Sequence, residues 1–223
     1  MTSEVHTTTR EKLLDATGEV LAGEGLTAVS ARSIAARAEV NQALVFYHFG
    51  SVAELVEESL RRSADLAVGT YRNRFDDVTS FTELIELGRE VHRAERERGN
   101  VARMAQVMAG AQNDETLARA GRYAIDLLTR QLENVLNRLL AGSPLRGLVD
   151  PADLARAVAA AFIGLELYED VDPDGASSAL AVLESLGGML ELVDGLGPVK
   201  ARAVRGQVRK ATKSRATRES AGA

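Results

Sequence analysis

Apolar positions along this 223-residue chain recur at three- and four-residue spacing, and no stretch alternates with period two for long enough to make a strand. The pattern predicts an all-α chain of nine helices. Thr8-Thr9-Arg10-Glu11 has the form of a capping box. Leu13, Ala16, Thr17, Val20 and Leu21 then share one face until Gly23 and Gly25 stop the helix. Ser30 caps a short helix with Ile34, Ala35 and Ala38 facing inward, and Asn41 caps another over residues 42–47. Ser51 to Glu54 is a second capping box and opens a long helix to about Arg74; Ser80 to Glu83 is a third, for a helix ending near Gly99. Asn100 caps the next helix, which runs to about Ala111. A long helix over about 114–140 is broken at Gly142 and Pro144. Asp150-Pro151-Ala152-Asp153 sets a cap, an N1 proline and a first-turn acid together, starting a helix that ends around Tyr168. The last helix covers about 175–193.

The segment Ser30 to Phe49, SARSIAARAEVNQALVFYHF, joins two short helices by a tight turn, Ala38-Glu39-Val40-Asn41. Ala35 and Ala38 let the helices approach closely, and Ile34, Val40 and Val45 make a small shared core. This is a helix-turn-helix, with a second helix short enough to lie in a DNA major groove. Phe46, Tyr47 and Phe49 cluster with His48 at its exit, where a phenol and an imidazole can donate to phosphates flanking the groove. Phe46 and Phe49 are expected in the core, Tyr47 and His48 on the functional face.

The segment resembles the TetR family of bacterial transcription regulators: Ile34-Ala35, Val40, Tyr47-His48-Phe49 and Ser51 match its pattern in register. The resemblance implies an N-terminal three-helix DNA-binding domain over 1–50 and a six-helix ligand-binding and dimerisation domain over 51–198, followed by a basic tail over 199–223. It implies phosphate contacts from Thr9, Arg10, Tyr47 and His48, base-edge approach by Gln42, Ala43 and Leu44, and a backbone neighbourhood for Ser30, Arg32 and Asn41. Arg32 fits a solvated surface arginine as well as a phosphate clamp. Four positions depart from the pattern. Phe46 stands where Tyr is common, Val52 where Lys is common, Glu39 where Gly is common, and Leu44 where a polar residue is frequent. Leu44 can touch a thymine methyl but cannot hydrogen-bond a base.

Charge is segregated along the chain. Residues 1–62 carry a net −3, residues 63–198 a net −9 and residues 199–223 a net +7. The basic tail has three larger apolar residues, Val199, Val204 and Val208, and is expected to be disordered. The chain has no cysteine and its three histidines are scattered, so disulfides, thiol chemistry and a histidine-rich metal site are not expected. No nucleophile stands beside a base and no carboxylate cluster suits a metal, so neither catalytic nor metal residues nor a cofactor are expected. The longest uninterrupted apolar stretches are too short to span a bilayer, and no secretory signal opens the chain, so a cytoplasmic protein without a membrane partner is expected.

The middle helices offer Tyr71, Phe75, Met104, Met108, Tyr123, Phe162 and Glu166 as a mixed lining for an effector cleft, although such stripes also serve as plain core. His92 is expected at the surface. Leu154, Val158, Ala161, Phe162 and Leu165, and then Leu180, Leu183, Leu186, Leu190 and Val193, form two apolar stripes with Ala157, Gly164 and Gly187-Gly188 admitting close approach. The resemblance makes these last two helices a homodimer interface. The resulting expectation is a regulator that binds palindromic operator DNA as a homodimer and releases it when a small-molecule effector binds, most simply as a repressor. The rival readings are a helical small-molecule-binding protein or enzyme without a DNA role, and a sequence-indifferent architectural DNA binder.

Overall fold

A computed structural model describes residues 8–196 and, in isolation, Ala203 and Gly206. The expected disorder of the 199–223 tail therefore lies outside the described residues. Nine α-helices and one 3-10 turn occur among the described residues, with no strand. They are α1 (Thr9–Gly23), the 3-10 turn Leu26–Ala28, α2 (Ala31–Arg37), α3 (Ala43–Phe49), α4 (Val52–Asp77), α5 (Phe81–Glu97), α6 (Asn100–Gly110), α7 (Glu115–Ala141), α8 (Pro151–Glu169) and α9 (Pro173–Asp194).

Local capping explains most helix starts. Thr8 accepts from the Glu11 N–H while the Glu11 carboxylate takes the Thr8 N–H, a complete capping box. These bonds from the Thr8 backbone and hydroxyl hold the Glu11 carboxyl below its ordinary range. Ser51 and Ser80 accept from Glu54 and Glu83 as expected, but the Glu83 carboxylate reaches back to the backbone and hydroxyl of Thr79. Asp150 caps α8 ahead of Pro151. Asp172 does the same for α9 ahead of Pro173, so that helix starts two residues earlier than expected. Asn100 is not a cap. Gly99, in the left-handed conformation at φ 71°, precedes the helix, and Asn100 turns its amide to Glu95.

The chain divides into two compact units. One holds the chain up to Tyr71 together with His92–Leu128, the other Arg72–Val91 together with the chain from Thr129 on. α4, α5 and α7 each run from one unit into the other. In the first unit Leu13, Leu14, Val20, Ile34, Val45 and Leu55 are buried, and Ser59 of α4 donates to the Leu14 carbonyl at 3.1 Å, pinning α4 to α1. In the second, Phe75, Val78, Phe81, Leu84, Leu132, Val135, Leu136 and Leu140 are buried.

Within the second unit, α9 docks by a polar edge. Its Glu184 pairs with Arg89 and its Glu191 with Thr82, both on α5, while Gly187 between them leaves room for Ile85. The opposite side of α9 is bare: Val182, Leu183, Leu186, Met189 and Leu192 are exposed, Leu192 to 76%. On α8 the exposed positions are Ala157, Ala160, Ala161 and Gly164, then Leu167 and Tyr168, with Val171 just beyond the helix. The bare faces coincide only in part with the stripes read in the sequence: Ala161, Leu183 and Leu186 are exposed, whereas Leu154, Val158, Phe162 and Leu165 are half-buried, as are Leu180, Leu190 and Val193. Pro173–Val193 is also long and apolar enough to cross a bilayer, contrary to the expectation from uninterrupted apolar runs. The helix is punctuated by Ser and Gly more than by charge, so its average stays apolar where its runs are short.

Candidate DNA interface

The helix-turn-helix assembles on α1. Ile34, Ala35, Val45 and Phe49 are buried with Leu13, Leu14 and Leu55, and Val40, Leu44 and Val52 pack partly against them. Val52, standing where the family often has Lys, therefore serves this core. α2 begins with a reciprocal Ser30–Ser33 cap. It ends in a Schellman motif: the Val40 N–H reaches the Ala35 carbonyl at 3.0 Å and the Glu39 N–H the Ala36 carbonyl at 3.3 Å. That motif needs a left-handed residue, and Glu39 supplies it at φ 55°. Asn41 then accepts the Ala43 N–H at 2.8 Å, which starts α3. α3 runs two residues further than expected and stops at Gly50, φ 76°.

This packing decides what α3 presents. Gln42, Ala43, Phe46 and Tyr47 are exposed, Tyr47 to 81%, and His48 is half-buried. Phe46 is 49% exposed, which corrects its expected place in the core; one turn of α3 buries Val45 and Phe49, and Phe46 falls on the other side. Leu44 is half-buried against the helix-turn-helix core, so its side chain is largely committed to packing. Tyr47 meets His48 edge-on at 5.0 Å between ring centres, and His48 meets Phe49 at 6.4 Å. The Arg10 guanidinium, from the first turn of α1, lies over the Phe49 ring at 5.0 Å. Three candidates, Tyr47, His48 and Arg10, are thereby joined in one strip through the ring of the core residue Phe49. Thr9 lies beside Arg10 at the start of α1. Ser30, Arg32 and Asn41 are exposed around α2 and the turn, with the Ser30 hydroxyl and the Asn41 amide oxygen already occupied by capping.

Several residues that shape this module carried no signal in the sequence. Glu58 of α4 pairs with Arg10, Asp15 with Arg62, and Glu19 and Glu24 with Arg37. Glu57 receives both Arg61 and Arg119, and the Arg119 hydrogen bond, which outweighs burial, holds its carboxyl below the ordinary range. α6 is tied to the module by Gln106, which accepts the Leu26 N–H at 3.1 Å, and by Arg103, which faces the Gly18 carbonyl at 3.5 Å. Burial lowers the Arg103 guanidinium from its ordinary value. Such pairs join residues up to 85 positions apart, and no local spacing announces them.

Residues 13–59, which span the end of this strip's scaffold from Leu13 to Ser59, match the family described as bacterial regulatory proteins, tetR family. These residues carry the N-terminal helix-turn-helix module of the TetR type. The HTH-type transcriptional repressor KstR2 of Mycolicibacterium smegmatis is 35% identical over 71 residues, 32% of this chain and 35% of that protein. The chain thus aligns with about a third of that repressor's length. The TetR-type scaffold extends further than the sequence likeness. Salmonella enterica GusR superposes with a TM-score of 0.65 at 20% identity, covering 86% of this chain and 98% of its own. The multidrug binding protein EbrR, complexed with imidazole, superposes with a TM-score of 0.58 at 21% identity, covering 79% and 94%. Identities this low carry the TetR fold alone.

The effector candidates fall in both units. Tyr71, Met104, Met108 and Tyr123 belong to the first; Phe75, Phe162 and Glu166 to the second. Phe75 and Glu166 are buried and the others half-buried. Tyr71 donates to Glu95 at 2.8 Å and accepts from Arg98 at 2.6 Å. Burial pushes the Glu95 carboxyl up, but hydrogen bonds from Asn100, Tyr71 and Arg98 together outweigh it and hold the group below its ordinary range. Tyr123 donates to Asp65 at 2.7 Å, and Arg61 lies over its ring at 4.9 Å. A cavity of about 500 Å³ opens in the second unit between the end of α7 and the start of α8, where Asn137, Leu140, Arg146, Leu148 and Asp150 line it. None of the seven candidates reaches that cavity.

Proposed function

We propose that this chain is a DNA-binding transcriptional regulator that acts in the cytoplasm as a homodimer, represses from a palindromic operator and is released by a small molecule. The observation that carries it is the exposed strip on α3: Gln42 and Ala43 free to approach base edges, with Tyr47, His48 and Arg10 beside them for phosphates. Thr9, Ser30, Arg32 and Asn41 would complete the backbone contacts. That the KstR2 protein is a repressor supports repression here, and that EbrR is a multidrug binding protein supports an effector site in this chain, with Tyr71, Met104, Met108 and Tyr123 as its candidates in the first unit and Phe75, Phe162 and Glu166 in the second. α4 runs without a break from the helix-turn-helix unit into the second unit, so an effector that shifts α4 would change the separation of the two recognition helices in a dimer.

The dimer is assigned to the bare faces of α8 and α9. Ala157, Ala161 and Gly164 permit close helix approach, and Val182, Leu186, Met189 and Leu192 supply the apolar area. A bilayer-spanning helix would have no use for the polar edge by which Glu184 and Glu191 hold α9 to α5. A twofold dimer reads half-sites about one helical turn apart. Selection from a random duplex pool tests the reading. Enrichment of one inverted repeat supports a regulator, capture of all duplexes alike supports an architectural binder, and capture of none removes the DNA role.

A further inference from the structure

Residues 1–62 contain six Lys and Arg side chains, and the structure decides how many of them can meet a polyanion. Four are engaged inside the protein: Arg10 with Glu58, Arg37 with Glu19 and Glu24, Arg61 with Glu57, and Arg62 with Asp15. Lys12 and Arg32 form no ion pair among the described residues. Of the four engaged cations, Arg10 alone stands on the strip that includes Tyr47 and His48, with its guanidinium over the Phe49 ring. Its carboxylate partner comes from another element, α4, 48 residues along the chain.

We propose that Glu58 is a carboxylate clasp on Arg10, occupying the guanidinium in the free protein and yielding it to a DNA phosphate on binding. The proposal rests on the regulator reading above and adds to it the residue that sets how much of Arg10 the DNA can use. Both side chains are well exposed, 47% for Arg10 and 37% for Glu58, and an ion pair this open to water is weak and readily exchanged. A phosphate is the stronger competitor, because contact with it also releases a condensed counterion from the duplex. The Phe49 ring keeps the guanidinium in position through the exchange, so only its anion changes. Exchange has a cost in the wild type: Glu58 is left without its cation beside a polyanion. Because Glu58 rides on α4, a displacement of that helix would alter its hold on Arg10 and change affinity without touching the base-reading residues.

The test is a double-mutant cycle read by fluorescence anisotropy. The probes are the duplex recovered from the random pool by the wild-type protein and a scrambled duplex of equal length. Glu58→Gln should bind both probes about two- to five-fold more tightly, the range expected for releasing one exposed ion pair. Its slope of log K against log salt should steepen by up to about 0.9 per subunit, because no freed carboxylate then takes back a cation as the phosphate contact forms. Arg10→Ala should bind more weakly, and adding Glu58→Gln to it should recover only the part that relief of charge repulsion supplies, clearly less than the gain Glu58→Gln gives when Arg10 is present. Circular dichroism and melting establish that each variant is folded, and Glu58→Ala serves as a second variant with the same expected gain. Unchanged or weaker binding by both Glu58 variants overturns the clasp, the weaker case meaning that Glu58 positions Arg10 for DNA. A gain of equal size without Arg10 overturns it too, since the effect would then be general charge. If the wild-type protein retains no duplex at all, the regulator reading itself fails, an outcome distinct from equal binding by wild type and variants.

Discussion

Replacing Glu39 by glycine should make this protein more stable. Glu39 occupies the left-handed position of the Schellman motif that ends α2, at φ 55°. A residue with a Cβ pays about 1–2 kcal/mol to sit there. Glycine pays nothing comparable in the folded state but loses about 0.5–1 kcal/mol more chain entropy on folding. The difference favours Glu39→Gly by about 0.5–1 kcal/mol, which for a chain of this length is a rise in Tm of about 1–4 °C. No interaction is sacrificed, because the Glu39 carboxylate is exposed and makes no hydrogen bond or ion pair among the described residues. Glu39→Ala is the control: it removes the charge and keeps the Cβ, so it should change stability little. Urea denaturation of the three proteins, with equal m-values as the condition for comparison, measures the difference. A glycine variant no more stable than the alanine variant would refute the argument from backbone strain. The same substitution takes a negative charge from the turn leading into α3 and should tighten DNA binding at low salt, an effect Glu39→Ala should share in full.

Four further outcomes are expected. His48→Ala and Tyr47→Phe should each lose about 1.5–3 kcal/mol of DNA affinity through hydrogen bonds to charged phosphate, uniformly across sequences. Gln42→Ala should instead lose about 1–3 kcal/mol of discrimination at one base pair per half-site, and titration against a set of single-site operator variants separates the two patterns. The Glu95 carboxyl is held below its ordinary value of 4.5 by Asn100, Tyr71 and Arg98, so its contribution to stability is present above that pH and is lost as pH falls through the folded-state value. Glu95→Gln should therefore cost about 1–3 kcal/mol at neutral pH and flatten the acid limb of the stability profile, measured by denaturant titration at a series of pH values. Leu186→Asp on the bare face of α9 should yield a folded monomer in light scattering, and a dimer that survives it would move the interface elsewhere.

What could be read from the sequence was what adjacent residues decide. Thr8 with Glu11, Ser30 ahead of Ile34, and Asp150 before Pro151 are contacts within one turn, and the helices begin where those pairs put them. The compact core of the helix-turn-helix was legible for the same reason, since Ile34, Val40 and Val45 lie within twelve positions of one another. Errors arose where another contact outbids the one the local pattern suggests. Asn100 looks like a cap and is drawn instead to Glu95. Phe46 looks like core beside Phe49, but Val45 and Phe49 take the one buried face a seven-residue helix has. The bare face of α9 keeps Leu183 and Leu186 of the predicted stripe but not Leu180, Leu190 and Val193, because Glu184 and Glu191 hold α9 to Arg89 and Thr82, about a hundred residues away.

That distinction bears on the electrostatics of DNA binding more than on the fold. Counted along the sequence, the first 62 residues have six cations against nine acids, and the module simply looks too acidic for its partner. Paired as the structure pairs them, Arg37 and Arg62 are turned to carboxylates of α1 and the turn that follows it, and Arg61 to Glu57 of its own helix. What remains for phosphates is Lys12, Arg32 and whatever Glu58 releases of Arg10. A module with so few available cations gains little from counterion release and must draw a larger share of its affinity from directed hydrogen bonds by Tyr47, His48 and the capped backbone of α3. Its affinity should accordingly fall less steeply with salt than six cations per subunit would dictate, and a single exposed carboxylate on α4 then commands a disproportionate part of that dependence.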